Sequence, residues 1–177
     1  MTDLQTLEKR IALLEDINAI KELKARYLRG CDLQRPEEVR DCLSPDGAVI
    51  AYEGFPPFHD RDSFVEIFRT MGCVAGIYDI HHGANPVITI TGEDSATGKW
   101  SLYFQNINLA HRTVTQMGVE YDDDYVRRDG RWWISRTATK RTSCIVQQVD
   151  EDGKSTIVAL GEAPAAFGEA PAQPVDA

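Results

Sequence analysis

The first thirty residues carry a regular spacing of apolar side chains. Glu, Lys and Arg fill many of the intervening positions, and the apolar series is Leu4, Leu7, Ile11, Leu14, Ile17, Ile20, Leu23 and Tyr27. A repeat of three to four residues is that of an amphipathic helix. The pattern predicts one long helix, or two helices broken near Glu15–Asp16. It ends at the sequence GCD (30–32), because Gly30 weakens a helix.

Three shorter signals follow this helix. Pro36 suits the first turn of a short helix over PEEVRDCL (36–43), which has acidic residues near its start. The sequence SPDG (44–47) is typical of a turn. The run GAVIAYEGF (47–55) is rich in residues that favour strands, so it predicts a first strand.

A third helix is predicted before the pattern changes to strands. Asp62 or Ser63 is a candidate N-cap, and Glu66 would complete a capping box. The apolar side of this helix would consist of Phe64, Ile67, Phe68 and Met71. Beyond it, runs of β-branched and aromatic residues predict four strands: PVITIT (86–91), GKWSLYFQNINLAHR (98–112), TQMGVEYDDDYVRR (115–128) and RWWISRTATKRTSCIVQQV (131–149).

This order of elements predicts an α+β domain. Helices come first and long strands follow, and the Asp129-Gly130 pair is a strong signal for an antiparallel hairpin. A curved mixed or antiparallel sheet packed on the N-terminal helices would form a cone that is open at one end. We assign residues 1–150 to this domain. Residues 151–177 form a C-terminal extension, in which the Ala/Pro-rich tail from Glu162 is expected to be flexible.

The composition and net charge indicate which kinds of protein and partner are disfavoured. The chain has 177 residues, 42% hydrophobic and 27% charged, and a net charge of -9. These values suit one globular domain, and the negative charge disfavours nucleic acid and anionic membranes as partners. No apolar run approaches the ~20 residues that span a bilayer, and the charged N-terminus does not resemble a signal peptide. The four cysteines form no close pair, which predicts reduced thiols in a cytoplasmic protein.

The adjacent residues His81 and His82 are the first candidate for chemistry. Neighbouring residues on a strand point to opposite faces, so the two imidazoles cannot easily share one metal ion. Zinc sites need three or four ligands, and no H-x-H or H-E-x-x-H sequence accompanies the pair. The sequence therefore predicts no metal, and it predicts that His81 turns inward while His82 faces away.

An inward histidine beside a carboxylate would be a general base. Asp32 is the best candidate for the carboxylate, because it ends an apolar helical face where a charge needs a partner. Tyr27 lies on the same face and could reach the same pocket. Structural roles remain open for both: Asp32 could cap the next loop or helix, and Tyr27 could be a core aromatic.

Three stretches resemble the SnoaL-like branch of the NTF2-like superfamily over about residues 5–148. The first is AIKELKARYLRGCD (19–32), a helix followed by an aspartate. The second is HHGANPVITITGEDSATGKW (81–100), which is similar to the family's H-x-x-x-N-P followed by a strand and a turn. The third is YDDDYVRRDGRWWISR (121–136), a Tyr-rich strand and a D-G-x-W hairpin.

Within this superfamily the chain resembles cofactor-free dehydratases and lyases, namely bile-acid 7α-dehydratase, scytalone dehydratase and hexachlorocyclohexane dehydrochlorinase. These are cone-shaped α+β barrels, commonly trimeric, with an Asp-His dyad. The resemblance places the dyad at Asp32 and His81, since His81 stands four residues before Asn85. Tyr27 occupies the position that is Tyr in the bile-acid enzyme and Lys in the dehydrochlorinase, which favours a dehydratase-like site. Asn106 and Arg141 are candidates for a further polar group, and a second histidine is not clearly reproduced.

The resemblance implies a lyase that uses neither metal nor organic cofactor. Its substrate would be a small hydrophobic hydroxy-ketone such as a steroid, a polyketide or an aromatic compound, and its homo-oligomer a trimer or else a dimer. A polyketide cyclase, a ketosteroid-type isomerase and a non-enzymatic binding or assembly module are the alternatives. Apolar and aromatic residues would line the pocket, although at least half of the candidates must be ordinary core residues. The candidates are Tyr52, Phe55, Phe68, Trp100, Leu102, Phe104, Tyr121 and Tyr125.

Overall fold

One uninterrupted helix forms the N-terminal part of the fold. The computed structural model describes residues 3–161, and helix α1 spans Leu4–Asp32, with the Asp3 side chain accepting a hydrogen bond from the Thr6 amide at its start. The helix ends where the sequence GCD predicted, but the alternative of a break near Glu15–Asp16 is wrong. An amphipathic face can continue through a local charge cluster as long as the helical period is kept.

Two further helices precede the long strands of the sheet. Helix α2 spans Pro36–Arg40, and helix α3 spans Arg61–Ile67 and continues into a π-helical turn over Phe68–Gly72. The N-cap of α3 is Asp60, whose carboxylate accepts hydrogen bonds from the Ser63 amide and hydroxyl. The prediction of Asp62 or Ser63 as the cap was therefore wrong, because Asp60 satisfies the free amide two to three residues further on.

Within residues 3–161, six strands form one curled sheet that does not close into a barrel, which confirms the predicted α+β cone. The strands are β1 (Val49–Ala51), β2 (Ile77–Gly92), β3 (Ser95–Asn108), β4 (Thr113–Arg128), β5 (Arg131–Val149) and β6 (Ser155–Gly161). Their order is β1-β5-β4-β3-β2, and β6 pairs with β5; among these strands only the β1–β5 pair is parallel.

The bounds of several strands differ from the sequence prediction. Strand β1 keeps only three residues of the run 47–55, because Gly54 has a positive φ of 95° and the chain turns after Ala51. Strand β2 begins at Ile77 rather than near residue 86, so both histidines lie within it. Strand β3 ends at Asn108, and residues 109–112 form a turn.

Strand β6 lies inside the segment assigned to the C-terminal extension. It pairs antiparallel with the last residues of β5 over Cys144–Val149, and a turn at 150–154 joins the two strands. Sequence analysis missed this strand because STIVALG is short and lacks aromatic residues. The tail from Glu162, expected to be flexible, lies outside the described residues.

A missing side chain lets helix α1 approach the sheet closely. A Cβ atom at Gly83 on β2 would lie 2.6 Å from Leu28 Cδ1 on α1, so any other residue here would require the Leu28 side chain to move. The side chains of Ile20, Leu23 and Leu28 on α1 are buried in the same core. This contact brings the C-terminal end of α1, which carries Asp32, next to the middle of β2. Among residues 3–161, none of the helices is both long enough and apolar enough to cross a membrane.

Candidate functional site

A cavity of about 870 Å³ lies between the inner face of the sheet, the end of α1 and the α3 region. This volume is within the usual range for small-molecule sites, roughly 300–1,000 Å³. Much of the wall is apolar or aromatic, and a few polar side chains interrupt it. The polar groups include Tyr27, Asp79, His81, Asn106 and Arg141.

The His81 imidazole faces this cavity and is held by Asp32. Its Nδ1 atom lies 2.7 Å from Asp32 Oδ1, and the His81 backbone N–H donates to the same oxygen at 2.9 Å. Both side chains are mostly buried, with 14% of the His81 side chain and 28% of the Asp32 side chain exposed. With Nδ1 engaged by the carboxylate, Nε2 is the ring nitrogen that remains for a ligand.

The geometry of β2 sets the direction of His81. Alternate residues on the strand face opposite sides, so His81 points inward while His82 is exposed on the other face. The His81 ring packs on Phe104, its partner on β3, with ring centroids 4.8 Å apart. The register shifts just beyond, at Asn85, whose φ of 50° suits an asparagine in a β-bulge.

Two phenols meet at the wall of the cavity. The hydroxyls of Tyr27 and Tyr52 are hydrogen-bonded to each other, and the Tyr52 ring makes an edge contact with Tyr121 at a centroid distance of 5.9 Å. Burial raises the pKa of all three phenols, so they remain protonated at neutral pH. One hydroxyl of the Tyr27–Tyr52 pair donates to the other, and the second O–H can donate to a further acceptor at the cavity wall.

A second carboxyl group faces the cavity two residues before His81. Asp79 shares the inner face of β2 with His81, and Asn106 Nδ2 donates to Asp79 Oδ1 at 2.7 Å across the β2–β3 pair. Burial raises the pKa of Asp79. Sequence analysis named Asn106 but missed Asp79, although alternation along DIH (79–81) places both side chains on one face.

Arg141 lies at the β5 side of the cavity. Its side chain is 11% exposed, its Nη2 atom is 3.6 Å from Glu53 Oε1, and its backbone N–H donates to Glu53 Oε2 at 2.6 Å. Glu53 belongs to the loop after β1, so this contact joins that loop to the sheet. The structure thus places a guanidinium group on the wall, at a different position from the dyad.

Six of the eight expected wall residues line the cavity, and two do not. Trp100 and Tyr125 lie in the core, where Trp100 Nε1 donates to the Tyr125 hydroxyl at 3.0 Å. The Tyr125 ring crosses Gly98, so side chains fill this end of the inner sheet face. The expectation for these two residues is corrected accordingly. The six that line the cavity are Tyr52, Phe55, Phe68, Leu102, Phe104 and Tyr121.

A buried ion pair fills the core beneath the tyrosines. Lys24 Nζ lies 2.8 Å from Asp123 Oδ2, and both side chains are fully buried. Asp123 also accepts a hydrogen bond from the Tyr125 hydroxyl at 2.8 Å. The Lys24 ammonium lies 3.5 Å from the centre of the Tyr121 ring. Neither charged residue lines the cavity, so the pair supports the wall without reaching a ligand.

This arrangement can move a proton to or from a bound apolar molecule. It offers an imidazole oriented by a carboxylate, a pair of protonated phenols and a second carboxyl group. Burial raises the pKa of Cys31, which also lines the cavity, so its thiol is not an activated nucleophile. The site therefore suits acid–base chemistry better than covalent chemistry.

Comparison with solved structures supports the fold. A hexachlorocyclohexane dehydrochlorinase (type 2) superposes with a TM-score of 0.69 at 18% identity, covering 89% of this chain and 99% of that chain. A scytalone dehydratase-like protein from Novosphingobium aromaticivorans gives 0.68 at 20% identity, with 89% and 96% covered. An NTF2-like protein with a cystatin-like fold, from the same organism, gives 0.65 at 23% identity, with 78% and 90% covered.

The family assignment rests on the sequence itself. The model of the SnoaL-like domain matches residues 12–138, which include α1 from its third turn and most of the sheet. The match covers well over half of the chain, and it contains Tyr27, Asp32 and His81. The chain therefore belongs to the SnoaL-like domain family.

Proposed function

We propose that the cavity is the active site of a cofactor-independent lyase, which removes water from a small hydrophobic hydroxy-ketone. The observation that carries this proposal is the 2.7 Å contact between His81 Nδ1 and Asp32 at the wall of an apolar cavity. An imidazole fixed by a carboxylate is the usual arrangement of a general base.

The dyad divides the work between its two members. Asp32 accepts a hydrogen bond from Nδ1–H, which selects the tautomer with a free lone pair on Nε2. Nε2 then removes a proton from the carbon next to the substrate carbonyl. The Asp32 carboxylate stabilises the imidazolium that forms, as in other carboxylate–histidine pairs. General base catalysis of this kind contributes about 10²–10⁴-fold.

The Tyr27–Tyr52 pair would stabilise the negative charge that develops on the substrate oxygen. The O–H that does not join the two phenols is a preorganised donor, and desolvation keeps both phenols protonated. A single donor of this kind typically contributes about 10²–10³-fold to kcat. Arg141 would orient a polar end of the substrate, and Asn106 would act through Asp79, to which it is hydrogen-bonded.

Two solved structures with this fold support elimination chemistry by analogy. Their names describe a dehydrochlorinase and a scytalone dehydratase, which remove HCl and water from their substrates. Fold alone does not fix a reaction, so the analogy adds weight only because the dyad and the cavity are present here. Tyr27 at the position five residues before Asp32 supports loss of water rather than of halide.

A panel of β-hydroxy ketones tests the proposal. The panel would include steroid, polyketide-like and aromatic compounds, with enone absorbance and mass spectrometry as readouts. Loss of water is expected in the wild-type protein and about 10²–10⁴-fold slower turnover in His81→Ala. His82→Ala, which changes the exposed neighbour, is the matched control. Products of unchanged mass would indicate an isomerase or a cyclase instead, and tight binding without turnover a binding module.

A further inference from the structure

Asp79 is a cavity-facing carboxyl group that the proton abstraction by His81 leaves unused. It lies on the inner face of β2, two residues from His81, which separates the two Cα atoms by roughly 6.6 Å along the strand. Both side chains line the same cavity. Elimination of water needs a base at one carbon and an acid at the oxygen on the next carbon, so two groups at this spacing suit one substrate.

The hydrogen bond from Asn106 orients the Asp79 carboxyl group. The Asn106 amide donates to Oδ1, so Oδ1 is an acceptor, as the carbonyl oxygen of a protonated carboxylic acid is. The proton of that acid then resides on Oδ2, and this atom is left for a ligand. Asn106 is fixed in turn by the regular β2–β3 pairing, in which the two residues are direct partners.

We infer that Asp79 is the general acid of this site and protonates the departing hydroxyl group of a β-hydroxy ketone. This role rests on the proposed function, because it needs His81 as the base. The burial that raises the pKa of Asp79 is consistent with it, since desolvation favours the neutral acid. A carboxyl group in an apolar pocket acts in the same way in other enzymes.

The step balances without a further reactant. His81 Nε2 takes the proton from the α carbon, and the electron pair of that C–H bond forms the new double bond. The bond between the β carbon and the oxygen breaks, and the oxygen leaves as water with the proton of Asp79. His81 then releases its proton and Asp79 takes one up, so the products are an enone and water.

Several titratable groups surround Asp79 and affect its pKa. Cys31 and Asp32 face it from α1, Cys73 from the segment before β2, and His81 from its own strand. Burial raises the pKa of both thiols, which keeps them neutral. The Asp32 charge raises the pKa of Asp79 further, whereas the Asn106 hydrogen bond and a charged His81 lower it.

The test compares two substrates that differ only in the leaving group. One is the aldol adduct of benzaldehyde and acetone, which dehydrates to benzalacetone, and the other is its acetate ester, which gives the same enone. Acetate leaves without protonation, whereas hydroxide does not. Asp79→Asn should therefore lower kcat/KM for the alcohol about 10²-fold or more and leave the ester nearly unchanged.

Two controls separate this role from a structural one. His81→Ala should slow both substrates, because both need the base. Asp152→Asn, which removes a charge from an exposed turn, should slow neither. In the wild-type protein, the kcat/KM profile should fall at high pH for the alcohol and not for the ester, which tests Asp79 without any variant.

The outcomes distinguish the inference from the function on which it rests. If Asp79→Asn does not slow elimination from the alcohol, or slows it as much as elimination from the ester, the role of Asp79 is overturned. The lyase proposal stands in that case. A wild-type protein that eliminates from neither compound overturns both. An alkaline fall that is the same for the two leaving groups also rejects the acid role.

Discussion

One oxygen of Asp32 accepts two hydrogen bonds from His81, one from the backbone N–H at 2.9 Å and one from Nδ1 at 2.7 Å. The backbone contact fixes where the carboxylate lies, and the ring contact then fixes the ring. Because Oδ1 accepts hydrogen bonds from two donors, an NH₂ group, which is itself a donor, cannot take the position of this oxygen. An asparagine here would present its carbonyl oxygen to His81 and keep the tautomer.

The dyad therefore predicts different losses for two substitutions. Asp32→Asn keeps both hydrogen bonds and removes only the charge, so we expect about a 10²-fold fall in kcat. Asp32→Ala also frees the ring, and we expect a fall of 10³-fold or more, on the order of what loss of a dyad member costs. Steady-state kinetics measures both, and Asp122→Asn on the exposed side of β4 is the control. Equal losses of kcat in Asp32→Asn and Asp32→Ala would contradict the claim that the contact with the His81 backbone holds the substituted amide side chain in place.

The paired phenols predict a non-additive effect. If the free O–H of the Tyr27–Tyr52 pair donates to the substrate, either Tyr27→Phe or Tyr52→Phe should lower kcat by about 10²-fold. The double variant should be little worse than either single one, because the two hydroxyls act as a unit. Tyr103→Phe, whose hydroxyl is hydrogen-bonded to Gln116 on the exposed face, is the control. Additive losses would count against the pair.

The buried ion pair predicts a stability effect that its neighbour can reverse. Lys24→Met leaves Asp123 buried without its cation, which should lower the free energy of unfolding by about 3–5 kcal/mol. Adding Asp123→Asn removes the orphaned charge, keeps an acceptor for Tyr125 and should restore most of the loss. Urea denaturation measures both variants. A double variant as unstable as the single one would show that the packing, not the charge, is what matters.

The pKa of Asp79 predicts how stability changes with pH. Its pKa is higher in the folded than in the unfolded chain, so its full contribution is present at low pH and is lost as pH rises through the folded pKa. Asp79→Asn lacks this loss. The variant should therefore be more stable than the wild type at neutral pH, with the difference shrinking toward the ordinary pKa of an aspartate. Thermal melts across this pH range test the sign; a constant difference would refute it.

The outer face of the sheet predicts self-association, and the family resemblance is the reason to expect a trimer rather than a dimer. Tyr78, Val87 and Tyr103 are 57%, 64% and 46% exposed on β2 and β3, which is unusual for large apolar groups on a solvated face. Tyr103→Glu should shift the protein toward monomer in sedimentation velocity experiments. Lys154→Glu, which adds the same charge in the exposed turn before β6, is the matched control. A wild-type protein that sediments as a monomer at micromolar concentration would reject the prediction.

Local sequence signals accounted for much of the fold. The helical repeat of α1, the Asp129-Gly130 turn and the alternation of β4 and β5 all depend on neighbouring residues, and their elements formed close to the predicted bounds. The features that the sequence did not predict depend on distant contacts. The close approach of Leu28 to Gly83 is an example, because no local pattern reveals a contact between helix and sheet.

The candidate site shows the same division. Alternation alone puts Asp79 on the face of His81, so the signal for Asp79 was in the sequence and went unused. Alternation also put Trp100 on the face of Leu102 and Phe104, yet Trp100 lies in the core. Which end of a curled sheet stays open depends on what fills the other end, here the side chains around Lys24.

Strand β2 carries two different surfaces on a period of two. Asp79 and His81 face the cavity, while Tyr78, Ile80 and His82 face outward. Deleting a single residue between the turn at Gly76 and the histidines would move every side chain of this stretch to the opposite side. The acid, the base and the outer aromatic face would all be lost together. Over this stretch, a substitution changes one of the two surfaces, whereas a change in length by one residue changes both.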